Sequence, residues 1–79
     1  SSPSGRFAPV IAHLRANLSR KVTRGELARI AALHPTAFDR AFVRAVGQTP
    51  LRVLTEMRLS EARRRLESTG DTLESIASA

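Results

Sequence analysis

The chain has 79 residues and a net charge of +6, from 13 lysines and arginines against seven aspartates and glutamates. This length holds one small domain, with room for a few packed helices and little else. The sequence contains no cysteine and its two histidines lie far apart, which excludes disulfides, thiolate metal sites and a Ser-His-Asp set.

The N-terminal segment predicts a polar lead followed by an amphipathic helix. Residues 1–5 are serine, proline and glycine, and no apolar stretch follows them, so we expect a disordered lead or linker rather than a signal peptide. Apolar side chains then recur at helical spacing, which predicts one core-facing stripe. The stripe consists of Phe7, Ile11, Leu14 and Leu18.

A strong start signal predicts the second helix. Thr23 is followed three residues later by Glu26, so the two side chains can form a capping box, and Val22 and Leu27 occupy the positions of a hydrophobic staple. We expect this helix to run from Arg24 to about Ala32. Its predicted inward residues are Leu27, Ile30 and Ala31.

A third helix is predicted from about Pro35 to Val46. Proline fits the first turn of a helix, where its missing N–H would have no partner. Phe38 and Phe42 lie one turn apart, and Gly47 suits the left-handed residue that ends a helix. The second and third helices are separated by about three residues, which is the spacing of a helix-turn-helix.

A long fourth helix is predicted to open at Thr49-Pro50 and to run to about Ser68, before Gly70. Glu61 and Arg65 lie four residues apart on it and predict a weak ion pair. The expected inner face consists of Leu51, Leu54, Met57 or Arg58, Leu59, Ala62 and Leu66.

Residues 71–77 resemble residues 22–28. Thr72 aligns with Thr23, and Ile76-Ala77 aligns with Leu27-Ala28, at an offset of 49 residues. We expect this segment to be the start of a second copy of the same unit, with coincidence as the alternative for so short a match.

The excess positive charge is confined to the first part of the chain. Residues 1–50 contain eight basic and two acidic side chains, whereas residues 51–79 contain five of each. Such a segment attracts a polyanion, and counterion release from DNA would favour binding at low salt. On charge alone, a generic basic surface is an equally good interpretation.

The combined spacing resembles the AraC/XylS family of bacterial transcription regulators, from about Phe7 to the end of the chain. The first matching pattern is Leu27-Ala28-x-x-Ala31-x-Leu33-x-Pro35-x-x-Phe38-x-Arg40-x-Phe42-x-x-x-x-Gly47-x-x-Pro50. The second, on the fourth helix, is Leu54-x-x-x-Arg58-Leu59-x-x-Ala62-x-x-x-Leu66.

This resemblance implies an all-α fold, a homeodomain-like helix-turn-helix three-helix unit followed by a long linker helix. Residues 6–48 would be the first helix-turn-helix subdomain, residues 49–69 the linker helix, and residues 70–79 the start of a truncated second helix-turn-helix. The chain departs from the family at Ala32, where glycine is common, and at His34, where serine is the common helix cap.

The resemblance also implies that the third helix enters the major groove and reads bases with Thr36, Asp39 and Arg40. Arg40 could donate two hydrogen bonds to guanine, with a phosphate contact or a solvated arginine as alternatives. Asp39 could accept from cytosine, although we favour a role in orienting Arg40 or Arg44. Phosphate contacts are expected from Lys21, Thr23, Arg24, Arg44 and Arg52.

We therefore predict sequence-specific binding of double-stranded DNA and transcription regulation, without an enzymatic activity, a metal or a cofactor. RNA polymerase and self-association through an exposed linker-helix surface are the further partners considered, and no membrane contact is expected. Such a protein would act in the bacterial cytoplasm, associated with the nucleoid. The alternative is a protein–protein interaction or dimerisation module without direct base readout.

Overall fold

The computed structural model describes residues 3–69, and this range is helical throughout apart from short connections. The elements are a 3₁₀ turn (Pro3–Phe7) and four α-helices, α1 (Ala8–Ala16), α2 (Arg24–Ile30), α3 (Pro35–Val46) and α4 (Pro50–Thr69). The all-α prediction is therefore confirmed. Residues 3–5 of the predicted disordered lead or linker belong to the 3₁₀ turn Pro3–Phe7. Ser1, Ser2 and the predicted second copy at residues 70–79 lie outside the described residues.

Helix α1 buries a face that differs slightly from the predicted stripe. Phe7 and Leu14 are buried as expected, and Ile11 and Leu18 pack at the edge of the core. Val10 is also fully buried, although the predicted stripe omits it. Phe7 occupies the N-cap position rather than the helix itself, so within α1 the buried line runs from Val10 to Leu14, one turn apart.

Helix α2 begins as predicted. The Thr23 hydroxyl accepts from the Glu26 backbone N–H at 3.2 Å, and the Glu26 side chain accepts from the Thr23 N–H at 3.5 Å, which completes the capping box. Val22 packs against the core that contains Leu27, as the predicted staple requires.

The end of α2 comes earlier than predicted, at Ile30. The Ala32 N–H donates to the Arg29 carbonyl at 3.0 Å, and the Leu33 N–H donates to the Ala28 carbonyl at 2.9 Å, which is the Schellman pattern of a helix C-terminus. This pattern requires a left-handed residue, and Ala32 supplies it with a φ of 58°. The predicted inward position of Ile30 is also wrong, because Ile30 is exposed while the small Ala28 is buried.

Three phenylalanine rings form the centre of the core. Phe7 meets Phe38 and Phe42 edge-on, with ring centroids 5.9 Å and 5.4 Å apart, and the Phe38 and Phe42 rings lie 5.5 Å apart. Edge-to-face pairs of this kind are favourable beyond the area that they bury. The ring cluster fixes α3 on the 3₁₀ turn and leaves the opposite face of α3 toward solvent.

The residues of α4 that pack against the core lie in its first half. Leu54 is buried, and Val53 and Met57 are half-buried beside it. The predicted inner positions Leu51 and Leu59 are wrong, because they are 69% and 51% exposed, and Ala62 is exposed as well. A helix of 20 residues is about 30 Å long, so it extends past the short helices against which it packs.

Candidate nucleic-acid interface

The exposed face of α3 presents polar side chains opposite the buried rings. Phe38 and Phe42 define the inner line of the helix. Thr36, Arg40 and Arg44 are exposed, and Asp39 is partly exposed. The structure thus places all three predicted base readers on the side of α3 that another molecule can approach.

Both ends of α3 are fixed as the sequence predicts. His34 extends the backbone before the helix, and its Nδ1 accepts from the Thr36 N–H at 3.4 Å, so this imidazole caps the helix where serine is common in the family. Pro35 occupies the first turn, and Gly47 ends the helix in the left-handed region with a φ of 89°. The predicted bounds of the third helix, Pro35 to Val46, are therefore confirmed.

Asp39 has a partner that the sequence interpretation missed. Its Oδ2 accepts from Nη1 of Arg24 at 2.8 Å, so the ion pair links the first residue of α2 to the middle of α3. The favoured partners Arg40 and Arg44 make no ion pair with Asp39. The sequence does show that Asp39 is the only acidic residue of α3, but the packing of α3 against α2, which brings Arg24 to it, is seen only in the fold.

The candidate phosphate contacts lie on α2, α3, α4 and the connection before α2. Lys21, Thr23, Arg24, Arg44 and Arg52 are all exposed. Thr23 uses its hydroxyl oxygen as the cap of α2. The Nε of Arg52 donates to Glu56 at 3.4 Å within α4, and the Thr49 hydroxyl accepts from the Arg52 N–H at 3.2 Å at the start of that helix.

Several of these residues line one concave surface. A cleft of about 300 Å³ lies among α1, α2, α3 and α4, and its border includes Arg24, Asp39, Val43 and Thr49. A shallower depression next to it is lined by Asp39, Val43, Arg40 and Arg44. Arg52 and Thr49 border a neighbouring depression at the start of α4. The fold thus brings Arg24 and the Thr49-Arg52 segment beside the exposed face of α3.

A polar cluster supports the entry to α2. The Glu26 carboxylate accepts from Arg20 and from His13, which ties the α1–α2 connection to both helices. These hydrogen bonds, first that of Arg20 and then that of His13, lower the pKa of the Glu26 carboxyl to about 2. Arg20 also donates to the Lys21 carbonyl at 2.9 Å, so it braces the connection that presents Lys21.

Arg58 holds α4 against the body. Its Nε donates to the Leu18 carbonyl at 2.9 Å, and its Nη2 donates to the Arg20 carbonyl at 3.0 Å. These contacts explain why an arginine stands among the expected inner positions of α4.

The second half of α4 is held by ion pairs within the helix. Glu61 accepts from Arg65, as predicted, and also from Arg64, and the two arginines, Arg64 first, lower the pKa of the Glu61 carboxyl to about 2.

Within residues 3–69, no group of three metal-ligating side chains is close enough to hold a metal ion. In the same part of the chain, no helix has the length and apolar character needed to cross a membrane.

The sequence matches a family profile described as a helix-turn-helix domain over residues 27–79. It is 47% identical over 53 residues to the HTH-type transcriptional regulator Rv1931c of Mycobacterium tuberculosis, covering 67% of this chain and 20% of that protein. It is 39% identical over 66 residues to the HTH-type transcriptional activator RhaS of Pectobacterium carotovorum, covering 84% of this chain and 24% of that protein.

A third relative, the uncharacterised HTH-type transcriptional regulator YobQ of Bacillus subtilis, is 30% identical over 69 residues, covering 87% of this chain and 29% of that protein. The chain thus spans less than a third of the length of these curated relatives. No solved structure matches it.

Proposed function

The chain belongs to the AraC-type helix-turn-helix family, and on that premise we propose that it binds double-stranded DNA sequence-specifically and serves transcription regulation, with α3 in the major groove. The observation that supports this most directly is that α3 has one buried apolar face and one exposed polar face. Its two aromatic residues are fully buried, while Thr36, Arg40 and Arg44 stand exposed on the same helix. A regulator of this kind acts at the bacterial nucleoid, has no enzymatic role and needs no cofactor of its own.

Within this interface, Thr36, Asp39 and Arg40 are the proposed base-contacting residues. Arg40 is the main one, because a guanidinium matches the O6 and N7 acceptors of guanine. Lys21, Thr23, Arg24, Arg44 and Arg52 are the proposed phosphate contacts, which position the helix without reading sequence. Residues 6–48 form the first helix-turn-helix subdomain and residues 49–69 the linker helix, with residues 70–79 opening a second copy.

The test begins with selection of bound duplexes from a randomised library, followed by fluorescence anisotropy on the recovered sequence. Arg40→Ala is expected to flatten the preference at one base pair, at a cost of about 1–3 kcal/mol for the preferred base. Arg44→Ala should weaken all duplexes alike and reduce the salt dependence. Arg63→Ala, an exposed arginine on the second half of α4, is the matched control. Unchanged affinity and preference in Arg40→Ala would overturn the assignment of α3.

Self-association is the second candidate, and the exposed apolar residues of α4 favour it. Leu51 and Leu59 are 69% and 51% exposed, and helices that leave such residues in water invite a protein partner. A second copy of the chain or RNA polymerase would cover them. Light scattering across a concentration series tests whether a second copy of the chain binds there. A molar mass that stays that of the monomer at high concentration would argue against self-association.

A further inference from the structure

The Arg24–Asp39 ion pair joins a proposed phosphate contact to a proposed base reader. The pair spans 2.8 Å between Nη1 and Oδ2, and its side chains are 61% and 36% exposed. Both residues border the cleft among the helices, and Asp39 also borders the depression that contains Arg40 and Arg44. The pair therefore lies at the surface that DNA would meet.

Asp39 is the single acidic residue of α3 and stands on a face where the other charges are positive. Within residues 3–69, Arg40 and Arg44 make no ion pair, so Asp39 neutralises Arg24 rather than the arginines of its own helix. A carboxylate here opposes the general attraction of the surface for a polyanion. It also meets Arg24 through one guanidinium nitrogen only, so the other nitrogens remain able to donate.

When a DNA phosphate approaches Arg24, the Arg24–Asp39 ion pair either persists or breaks. If the ion pair persists, the phosphate and the Asp39 carboxylate share one guanidinium, and the two anions repel each other across it. If the pair breaks, the phosphate gains Arg24 but Asp39 loses its only ion-pair partner within residues 3–69. In both arrangements Asp39 weakens the contact between Arg24 and the DNA backbone.

We propose that Asp39 has a second role besides its proposed base contact: it is a positioning residue that acts through Arg24 and restrains the binding of DNA irrespective of sequence. This inference rests on the proposed function, because it concerns the same DNA-binding face. Phosphate contacts supply nearly all of the affinity for non-specific DNA. Genomic DNA offers a large excess of non-specific sites. Lowering the affinity for those sites therefore improves the discrimination between a specific site and the rest of the DNA without any new base contact.

The test measures binding of the whole chain to a duplex of random sequence, about 20 bp long, as salt is varied. Asp39→Asn should bind about threefold to tenfold more tightly near 0.1 M salt, and its salt slope should steepen by about one, as one added phosphate contact predicts. Asp39→Glu keeps the charge beside Arg24, so on this random-sequence duplex it should show neither the tighter binding nor the steeper salt slope. Glu67→Gln makes the same charge change on the far half of α4 and should leave the slope unchanged.

The Arg24→Gln background separates the two routes by which Asp39 could act. If Asp39 acts through Arg24, then Asp39→Asn produces no gain in this background. A gain that persists there would overturn the proposal, since Asp39 would then repel DNA directly. An equal gain in Glu67→Gln would overturn it as well, because net charge alone would explain the result. A parent chain that binds no duplex at all would instead refute the proposed function. Circular dichroism of each variant verifies that the helices are retained.

Discussion

Helices α3 and α4 have similar apolar spacing in the sequence but different surroundings in the fold. In α3, Phe38 and Phe42 are both fully buried, and they pack against Phe7 and against each other. In α4, which is longer, Leu54 is the one buried residue among those described. The difference shows that helical periodicity identifies a face that can be buried, whereas the length of the neighbouring elements decides how much of it is covered.

The largest expected difference between the helices is in the cost of truncating an apolar side chain. Phe38→Ala should lower the free energy of unfolding by about 3–5 kcal/mol, because it empties the centre of the ring cluster. Leu59→Ala should change it by less than about 0.5 kcal/mol, because the side chain already lies mostly in water. Urea denaturation followed by circular dichroism measures both values.

Since domains of this size have a total stability of only about 5–15 kcal/mol, Phe38→Leu provides a milder variant if Phe38→Ala does not fold. Equal losses at Phe38 and Leu59 would contradict the contrast between α3 and α4, and would indicate that the face of α4 around Leu59 is covered in solution.

The next expected effect concerns the polar anchor of α4. Arg58→Ala removes two hydrogen bonds to the carbonyls of Leu18 and Arg20, so we expect a loss of about 1–2 kcal/mol in the free energy of unfolding. Arg63→Ala is the control, because this arginine is exposed in the second half of the same helix, and its effect should stay within about 0.5 kcal/mol. If the two variants lose the same stability, α4 is held by its apolar residues alone.

Most of the fold and part of the site could be predicted from the sequence. The caps of α2 and α3 depend on residues within a few positions of each other, so Thr23, Glu26, Pro35 and Gly47 were sufficient to place the helix starts and the end of α3. Long-range pairing was not predictable in this way. The contact between Arg24 and Asp39 depends on how two helices cross, and spacing along one helix does not contain that information.

The position of Arg58 shows the same limit in another form. The apolar pattern of α4 left Met57 or Arg58 open as the inward residue. Met57 packs against the core and Arg58 is exposed, and the pattern did not indicate the two carbonyl groups that receive the hydrogen bonds of Arg58. Those carbonyls belong to residues 38 and 40 positions earlier in the chain. The sequence could therefore identify which residue departs from the pattern, while its partners required the fold.

The smallest expected effect concerns the turns at the two ends of α3. Both contain a left-handed residue, but the entry turn uses Ala32 with a φ of 58°, whereas the exit turn toward α4 uses Gly47 with a φ of 89°. A Cβ atom in the left-handed region costs about 1–2 kcal/mol, while glycine adds entropy to the unfolded chain, worth about 0.4–1 kcal/mol.

Ala32→Gly should therefore raise the free energy of unfolding by about 0.5–1 kcal/mol, since the relief of backbone strain exceeds the entropic loss. Gly47→Ala should lower it by a similar amount for the opposite reason, and no neighbouring atom lies within 4 Å of the added Cβ to confuse the result. Paired urea midpoints measure both changes. If the two changes in the free energy of unfolding have opposite signs, as expected, both turns keep their left-handed residue in solution. A loss of stability in Ala32→Gly would instead show that the end of α2 tolerates alanine without strain, and that only the exit of α3 depends on glycine.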